Sequence, residues 1–234
     1  MLTITQLSLT LNHQTILQDV SLQIGSGSIT SLVGPSGAGK SSLLRCIAGL
    51  ETYTGTISLN QKPLDAVPTA QRGLGYVEQD NTLFPHLSVE KNIAYPLRVR
   101  RQPITKINRA VSDIMLQLHL AKLAKRYPHQ LSGGEQRRVM LARTLIYQPT
   151  IVLFDEPFAG VDALLRVELV HLLKTLMAQR RIPLIYVTHD LAEAEFLSNS
   201  VIVLRDGKVE THQTWPEIKK VTNPWLQTFL NQRF

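Results

Sequence analysis

The sequence predicts an α/β protein. It should contain a mostly parallel sheet wrapped by helices, an antiparallel β portion at the N-terminus and an inserted helical block. Three observations carry that prediction. Short apolar runs alternate with helical patterns in both the first and the last third of the chain. A glycine-rich turn, Gly34-Pro35-Ser36-Gly37-Ala38-Gly39-Lys40-Ser41, lies between a predicted strand and a predicted helix. From Ser88 to Ile146 the pattern is helical, interrupted by Pro96, Pro103 and Pro128, with no convincing strand.

The elements follow in order. Leu2–Leu9 and Ile16–Ile24 alternate with period two and read as antiparallel strands. Ile29–Val33 is a short apolar strand running into the glycine turn, and Lys40–Leu50 is a helix. Thr56–Leu59 and Gly75–Glu78 are further strands. After the helical block, read as an insertion over 88–148, Ile151–Phe154 is a strand and Ala163–Gln179 a helix. Leu184–Thr188 is a strand and Asp190–Leu197 a helix; Val201–Leu204 then pairs with Lys208–Thr211 across the turn Asp206-Gly207.

At 234 residues the chain is long enough for one large domain, 1–234, with an inserted subdomain. Hydrophobic residues make up 44% and charged residues 18%, an ordinary globular balance. The longest apolar runs fall short of the roughly 18–20 residues that cross a bilayer, and the N-terminus has no signal-peptide pattern. A cytoplasmic location is therefore expected. The single cysteine, Cys46, excludes an internal disulfide and a multi-cysteine metal site, and its apolar helical setting reads as a buried small residue. The net charge of +7 suits either a solvated surface or work near an anionic membrane face, with Arg98-Val99-Arg100-Arg101 the densest cluster. No nucleic-acid partner is expected.

Gly34 to Ser41 fits G-x-x-x-x-G-K-[ST]. The turn Gly34-Pro35-Ser36-Gly37-Ala38-Gly39 lets the backbone N–H groups of its non-proline residues converge on phosphate oxygens, and the helix N-terminus through Lys40, Ser41 and Ser42 adds its partial positive charge. Lys40 should reach the β- and γ-phosphates, and Ser41 should coordinate Mg²⁺. Asp155 and Glu156 close a buried strand, where ligands of open sheets bind. Asp155 suits the Mg²⁺ shell, and Glu156 suits activation of a water attacking the γ-phosphate. A second glycine turn, Leu131-Ser132-Gly133-Gly134-Glu135-Gln136, satisfies a capping box, yet two helical glycines would cost roughly 1 kcal/mol each relative to alanine. A ligand needing bare backbone would explain Ser132, Gly133 and Gly134, and one nucleotide rarely needs two cradles from one subunit. Two copies sandwiching ATP are the expectation.

These residues resemble the ATP-binding subunit of ABC transporters in their order along the chain. After the phosphate loop come Gln79, the signature turn Leu131–Gln136, Asp155-Glu156, Ala159-Gly160-Val161-Asp162 and Thr188-His189-Asp190. The resemblance implies a P-loop NTPase core and a head-to-tail homodimer, or a pair with a related subunit, in which one copy's signature closes on ATP held by the other. It implies that Gln79 contacts Mg²⁺ and senses a transmembrane permease, that His189 contacts the γ-phosphate and that Asp162 communicates across the dimer. Where the family usually carries an adenine-stacking aromatic, this chain has Leu11, with His13 nearby.

Leu83–Val89 followed by Asn92-Ile93-Ala94 is similar to importers of ferric ion, sulfate, molybdate, thiamine and polyamines, and Arg126-Tyr127-Pro128-His129 to the ferric members. Phe84 and Leu87 are expected to form a docking patch for a permease helix. The implied reading is an ATPase on the cytoplasmic face of the membrane, energising import of a small solute delivered by an external binding protein. Ferric ion is the specific guess, and no C-terminal regulatory domain is expected after Phe234. An exporter or membrane-remodelling ATPase is the alternative. A DNA-repair relative would insert a long coiled coil, a translation-factor relative would carry two motif sets, and a P-loop kinase would lack the signature turn.

Overall fold

The computed structural model describes residues 1–78 and 83–231. Two compact units divide the chain: Met1–Leu74 with Thr150–Glu156 and Val170–Phe234, and Gly75–Pro149 with Pro157–Leu169.

The first unit begins with β1 (Leu2–Leu11) and β2 (Gln14–Ile24), antiparallel, with Leu2 opposite Ile24 and Leu11 opposite Gln14. Asn12 and His13 turn the chain between them with φ 48° and 64°, the left-handed pair that matches the twist of a two-residue hairpin. Strict alternation fails twice. Inward residues run Leu2, Ile4, then Leu7, Leu9, and on the partner Leu17, then Val20, Leu22, Ile24. Gln6 (φ 50°) and Asp19 (φ 53°) lie at the two slips, and the register shifts there. An extra residue at a bulge restores the apolar face to the core. The four-stranded sheet is completed by β4 (Thr54–Leu59) and the short β5 (Lys62–Pro63), in the order β2-β1-β4-β5.

The second sheet of this unit is built on β3 (Ile29–Val33), followed by α1 (Lys40–Ala48). Across the boundary between the units, β6 spans Leu74–Val77. In the second unit lie α2 (Val89–Val99), α3 (Ile104–Gln117) and α4 (Gly133–Leu145). Returning to the first unit, β7 (Ile151–Asp155) precedes α5 (Ala163–Arg180), whose first turns belong to the second unit. Then come β8 (Leu184–Val187), α6 (Leu191–Leu197), β9 (Ser200–Arg205) and β10 (Lys208–Thr214).

Within the first unit the strands run β10-β9-β3-β8-β7, with β9, β3, β8 and β7 parallel and β10 antiparallel at the edge. Every residue of β3, β7 and β8 is buried, as expected for parallel strands covered on both faces. The chain closes with α7 (Trp215–Ile218) and α8 (Pro224–Asn231), which the sequence pattern did not suggest. Their Trp215, Ile218, Leu226 and Phe229 pack with Val33, Val201 and Val203, so they complete the core beneath β3 and β9. No helix among the described residues is long and apolar enough to cross a membrane.

Candidate nucleotide site

Leu32 on β3 lies opposite Val187 on β8, and Val187 lies opposite Asp155 on β7. The glycine turn, Glu156 and Thr188-His189 therefore leave the sheet at one edge, the carboxyl end of its strands, where open α/β sheets take ligands.

In the glycine turn, a Cβ on Gly34 would lie 2.1 Å from the Leu204 carbonyl oxygen, whereas one on Gly37 would meet nothing within 4 Å. Gly34 is required by packing; Gly37 leaves the outer side of the loop bare. The α1 helix starts without a side-chain cap and without an acidic residue in its first turn. Its leading N–H groups at Lys40, Ser41 and Ser42 thus have no side-chain acceptor of their own, an arrangement suited to an anion. The Lys40 ammonium donates to the carbonyls of Gly34 (2.9 Å) and Pro35 (2.8 Å), using two of its three donors to hold the loop closed behind it. Burial pushes its pKa down, and the carboxylates of Glu156 and Asp155 oppose that shift.

Asp155 is buried at the end of β7, and Glu156 takes a left-handed φ of 45° while its N–H donates to the Val187 carbonyl at 3.1 Å. That turn brings the Glu156 carboxylate to His189, with Nδ1 3.2 Å from Oε2 and side-chain exposures of 57% for His189 and 22% for Glu156. Asp190 accepts the Glu193 N–H at 3.0 Å and so starts α6 immediately after the histidine. Ser41 and Asp155 are hard oxygen donors, the chemistry Mg²⁺ prefers when it keeps water and phosphate oxygens for its remaining positions. Gln79, expected as a third ligand and as a catalytic residue, lies outside the described residues. Leu11 is half-buried at the end of β1, and His13 in the hairpin turn is exposed.

A model of the ABC transporter family matches residues 17–159, which run from β2 through the glycine turn to the residues after Glu156 and cover more than half of the chain. The chain belongs to the ABC transporter family. Among relatives of this ABC protein, the sulfate/thiosulfate import ATP-binding protein CysA of Synechocystis is 39% identical over 220 residues, 93% of this chain. The sn-glycerol-3-phosphate import ATP-binding protein UgpC of Brucella abortus is 39% identical over 217 residues, 92% of this chain. The chain spans 62% of the length of each. Among solved structures, the dimeric ATP-binding cassette MJ0796, in a post-hydrolysis state bound to ADP and Pi, superposes with a TM-score of 0.79. It shares 29% identity and covers 92% of this chain and 98% of its own. The ABC ATPase fold is thus established, with its antiparallel sheet and its mostly parallel sheet.

The remaining candidate residues of this ABC chain belong to the second unit. Ser132 caps α4: its hydroxyl accepts the Glu135 N–H at 3.3 Å, and Glu135 accepts the Ser132 N–H at 2.7 Å. The capping box predicted from sequence is formed. The two glycines then separate in role. A Cβ on Gly134 would come within 2.8 Å of both Leu165 methyl carbons, while one on Gly133 would meet nothing within 4 Å. Close packing accounts for Gly134, which corrects the expectation that both glycines answer only to a ligand. Asp162 accepts the Leu165 N–H at 3.0 Å and starts α5. Arg137 donates to the Ala159 carbonyl at 3.2 Å and Arg166 to the Val161 carbonyl at 3.1 Å, fixing the loop that carries Asp162. Sequence reasoning passed over Arg137 and Arg166. The signal available was a guanidinium directly after the signature turn and another one turn into α5.

Proposed function

We propose that the chain is the ATP-hydrolysing subunit of a membrane importer, acting as a head-to-tail dimer on the cytoplasmic face of the membrane beneath permease subunits. The observation that carries this reading is the Glu156–His189 contact at the same strand-end edge as the Lys40 loop. The loop from Gly34 to Ser42 binds the phosphates, with the bare side at Gly37 toward them. Glu156 accepts a proton from the attacking water, and His189, donating Nδ1–H to Glu156, holds that carboxylate in orientation. Ser41 and Asp155, with Gln79, would hold Mg²⁺, which when bound offsets charge on the phosphate oxygens. Asp162 and the turn Ser132-Gly133-Gly134 act on the nucleotide of the other copy, and Leu11 contacts adenine by apolar packing. The helical block over 88–148 is the insertion that carries this turn.

The names of the relatives support import: one serves sulfate and thiosulfate, the other sn-glycerol-3-phosphate. The ferric-ion guess drawn from Arg126–His129 has no counterpart in those names, and a small oxyanion or phosphorylated solute, passed on by an external binding protein, is the cargo class proposed in its place.

Glu156→Gln tests the mechanism. It should keep ATP binding, lower turnover by at least about 100-fold and trap a dimer detectable by light scattering. A variant that stays monomeric at saturating ATP would remove the sandwich from consideration.

A further inference from the structure

The net charge of +7 is unevenly placed. The second unit holds thirteen Lys and Arg against seven Asp and Glu, whereas the first holds twelve against eleven. Most of that excess lies in one stretch: from Lys91 to Ser112 there are six cations and no carboxylate. Five of them, Arg98, Arg100, Arg101, Lys106 and Arg109, are exposed around the tight connection between α2 and α3. Among the described residues no ion pair is formed by any of the five. The connection itself is ordered: the Arg101 N–H donates to the Arg98 carbonyl at 2.9 Å, the Gln102 N–H to the Leu97 carbonyl at 3.1 Å, and the Arg100 guanidinium sits 4.1 Å over the Tyr147 ring. Two apolar side chains project beside these cations, Val99 at 63% and Ile104 at 58% exposure.

We infer that the α2–α3 tip is a lipid-contacting surface that rests on anionic headgroups, with its cations on the phosphates and Val99 and Ile104 in the interfacial layer. Interspersed cations and exposed aliphatic residues are the combination that binds an anionic bilayer surface. A base-reading or single-strand surface would instead offer free aromatic faces among the cations for stacking; here the half-buried Tyr147 ring is covered by Arg100, and the apolar residues left open at the tip, Val99 and Ile104, are aliphatic. The start of α3 agrees. It has no side-chain cap and no acid in its first turn, and carries Lys106 near an end where the helix dipole is already positive. That placement weakens the helix in isolation and is relieved when an anionic surface lies against it. The surface adds lipid contact to the permease attachment proposed above and does not depend on nucleotide turnover.

The test is flotation of the full chain with protein-free vesicles. Wild type should bind vesicles containing phosphatidylglycerol, lose binding as salt is raised, and ignore pure phosphatidylcholine. The double variant Lys106→Glu, Arg109→Glu should lower the partition at least about 20-fold, since each cation near such a surface is worth about fivefold. Its thermal midpoint should be unchanged or raised, because acids suit the first turns of a helix, and its ATPase activity should match wild type. Val99→Ser with Ile104→Ser should weaken binding while leaving its salt dependence. Equal binding by the charge variant, binding to both vesicle types alike, or binding to nucleic acid with none to anionic vesicles would each overturn the proposal.

Discussion

Gly133 and Gly134 are chain neighbours with opposite surroundings, and the difference separates two meanings of the same residue type. Gly134 faces the methyl groups of Leu165 with no room for a Cβ, and Gly133 faces open space. The phosphate loop repeats this division, with Gly34 closed against the Leu204 carbonyl and Gly37 open. Gly134→Ala should therefore destabilise the fold by about 1–3 kcal/mol in urea denaturation, with partial recovery when Leu165→Ala is added. Gly133→Ala should leave stability unchanged or raise it by up to about 1 kcal/mol, because alanine is the better helix former. Its ATPase activity should nevertheless fall at least about tenfold if the bare backbone there approaches a phosphate. Full activity in Gly133→Ala would assign that glycine to helix geometry alone. Glu156 belongs to the same scale: its left-handed φ, uncommon for a residue with a Cβ, aims the carboxylate at His189.

At the level of elements, α1 is asymmetric. Its N-terminus has no side-chain cap, whereas its C-terminus is closed by several groups at once. Gly49, left-handed at φ 78°, donates to the Cys46 carbonyl at 3.0 Å, and Leu50 donates to Arg45 at 2.9 Å. The Arg72 guanidinium, only 7% exposed, donates to Cys46 (3.1 Å), Ile47 (2.8 Å) and Val67 (2.9 Å). A Cβ on Gly49 would sit 2.5 Å from the Arg72 Cζ, so the glycine makes room for the cap. A cation at that end also complements the helix dipole. Arg72→Ala should cost about 2–4 kcal/mol, measured by urea denaturation, because two carbonyls of α1 lose a charged donor in a buried setting. Arg72→Lys should recover less than half of the loss, since a single ammonium cannot span the same three carbonyls. Cys46, on this helix, is buried, and burial raises its thiol pKa to about 12, in line with its reading as a packing residue.

For the whole molecule, the decisive pattern is that the two glycine turns belong to different compact units. The Lys40 loop, Glu156 and His189 lie at one sheet edge within one unit; Ser132, Gly133 and Asp162 are held in the other by α4 and the start of α5. Ser132→Arg should abolish hydrolysis by the dimer while leaving ATP binding by the monomer nearly intact, as read by nucleotide fluorescence and phosphate release. Loss of monomer binding would instead place the turn on its own chain's nucleotide. Arginine also removes the Ser132 hydroxyl, so its thermal midpoint must be compared with that of Ser132→Ala, which loses about 1 kcal/mol of cap alone.

Much of this was legible in the sequence because it is local. The hairpin turn at Asp206-Gly207, the strand ending in Val33 and the one leading to Asp155, the loop between strand and helix, and the capping box at Ser132 each depend on residues a few positions apart. Period, propensity and turn chemistry suffice at that range. The slips at Gln6 and Asp19 were hidden because a bulge is chosen by the face that must be buried. The last two helices escaped for a related reason: short segments such as Trp215–Ile218 gain their stability from packing under β3 and β9. The sequence alone determined which donors and acceptors the proposed site has, at Gly34–Ser41, Asp155-Glu156 and His189, since hydrogen-bonding and acid–base groups are set by residue identity. Tertiary structure alone decided which glycine is bare and which is filled, and that Arg72 closes α1. Each of these depends on what comes within a few ångströms in space, and chain position does not encode that distance.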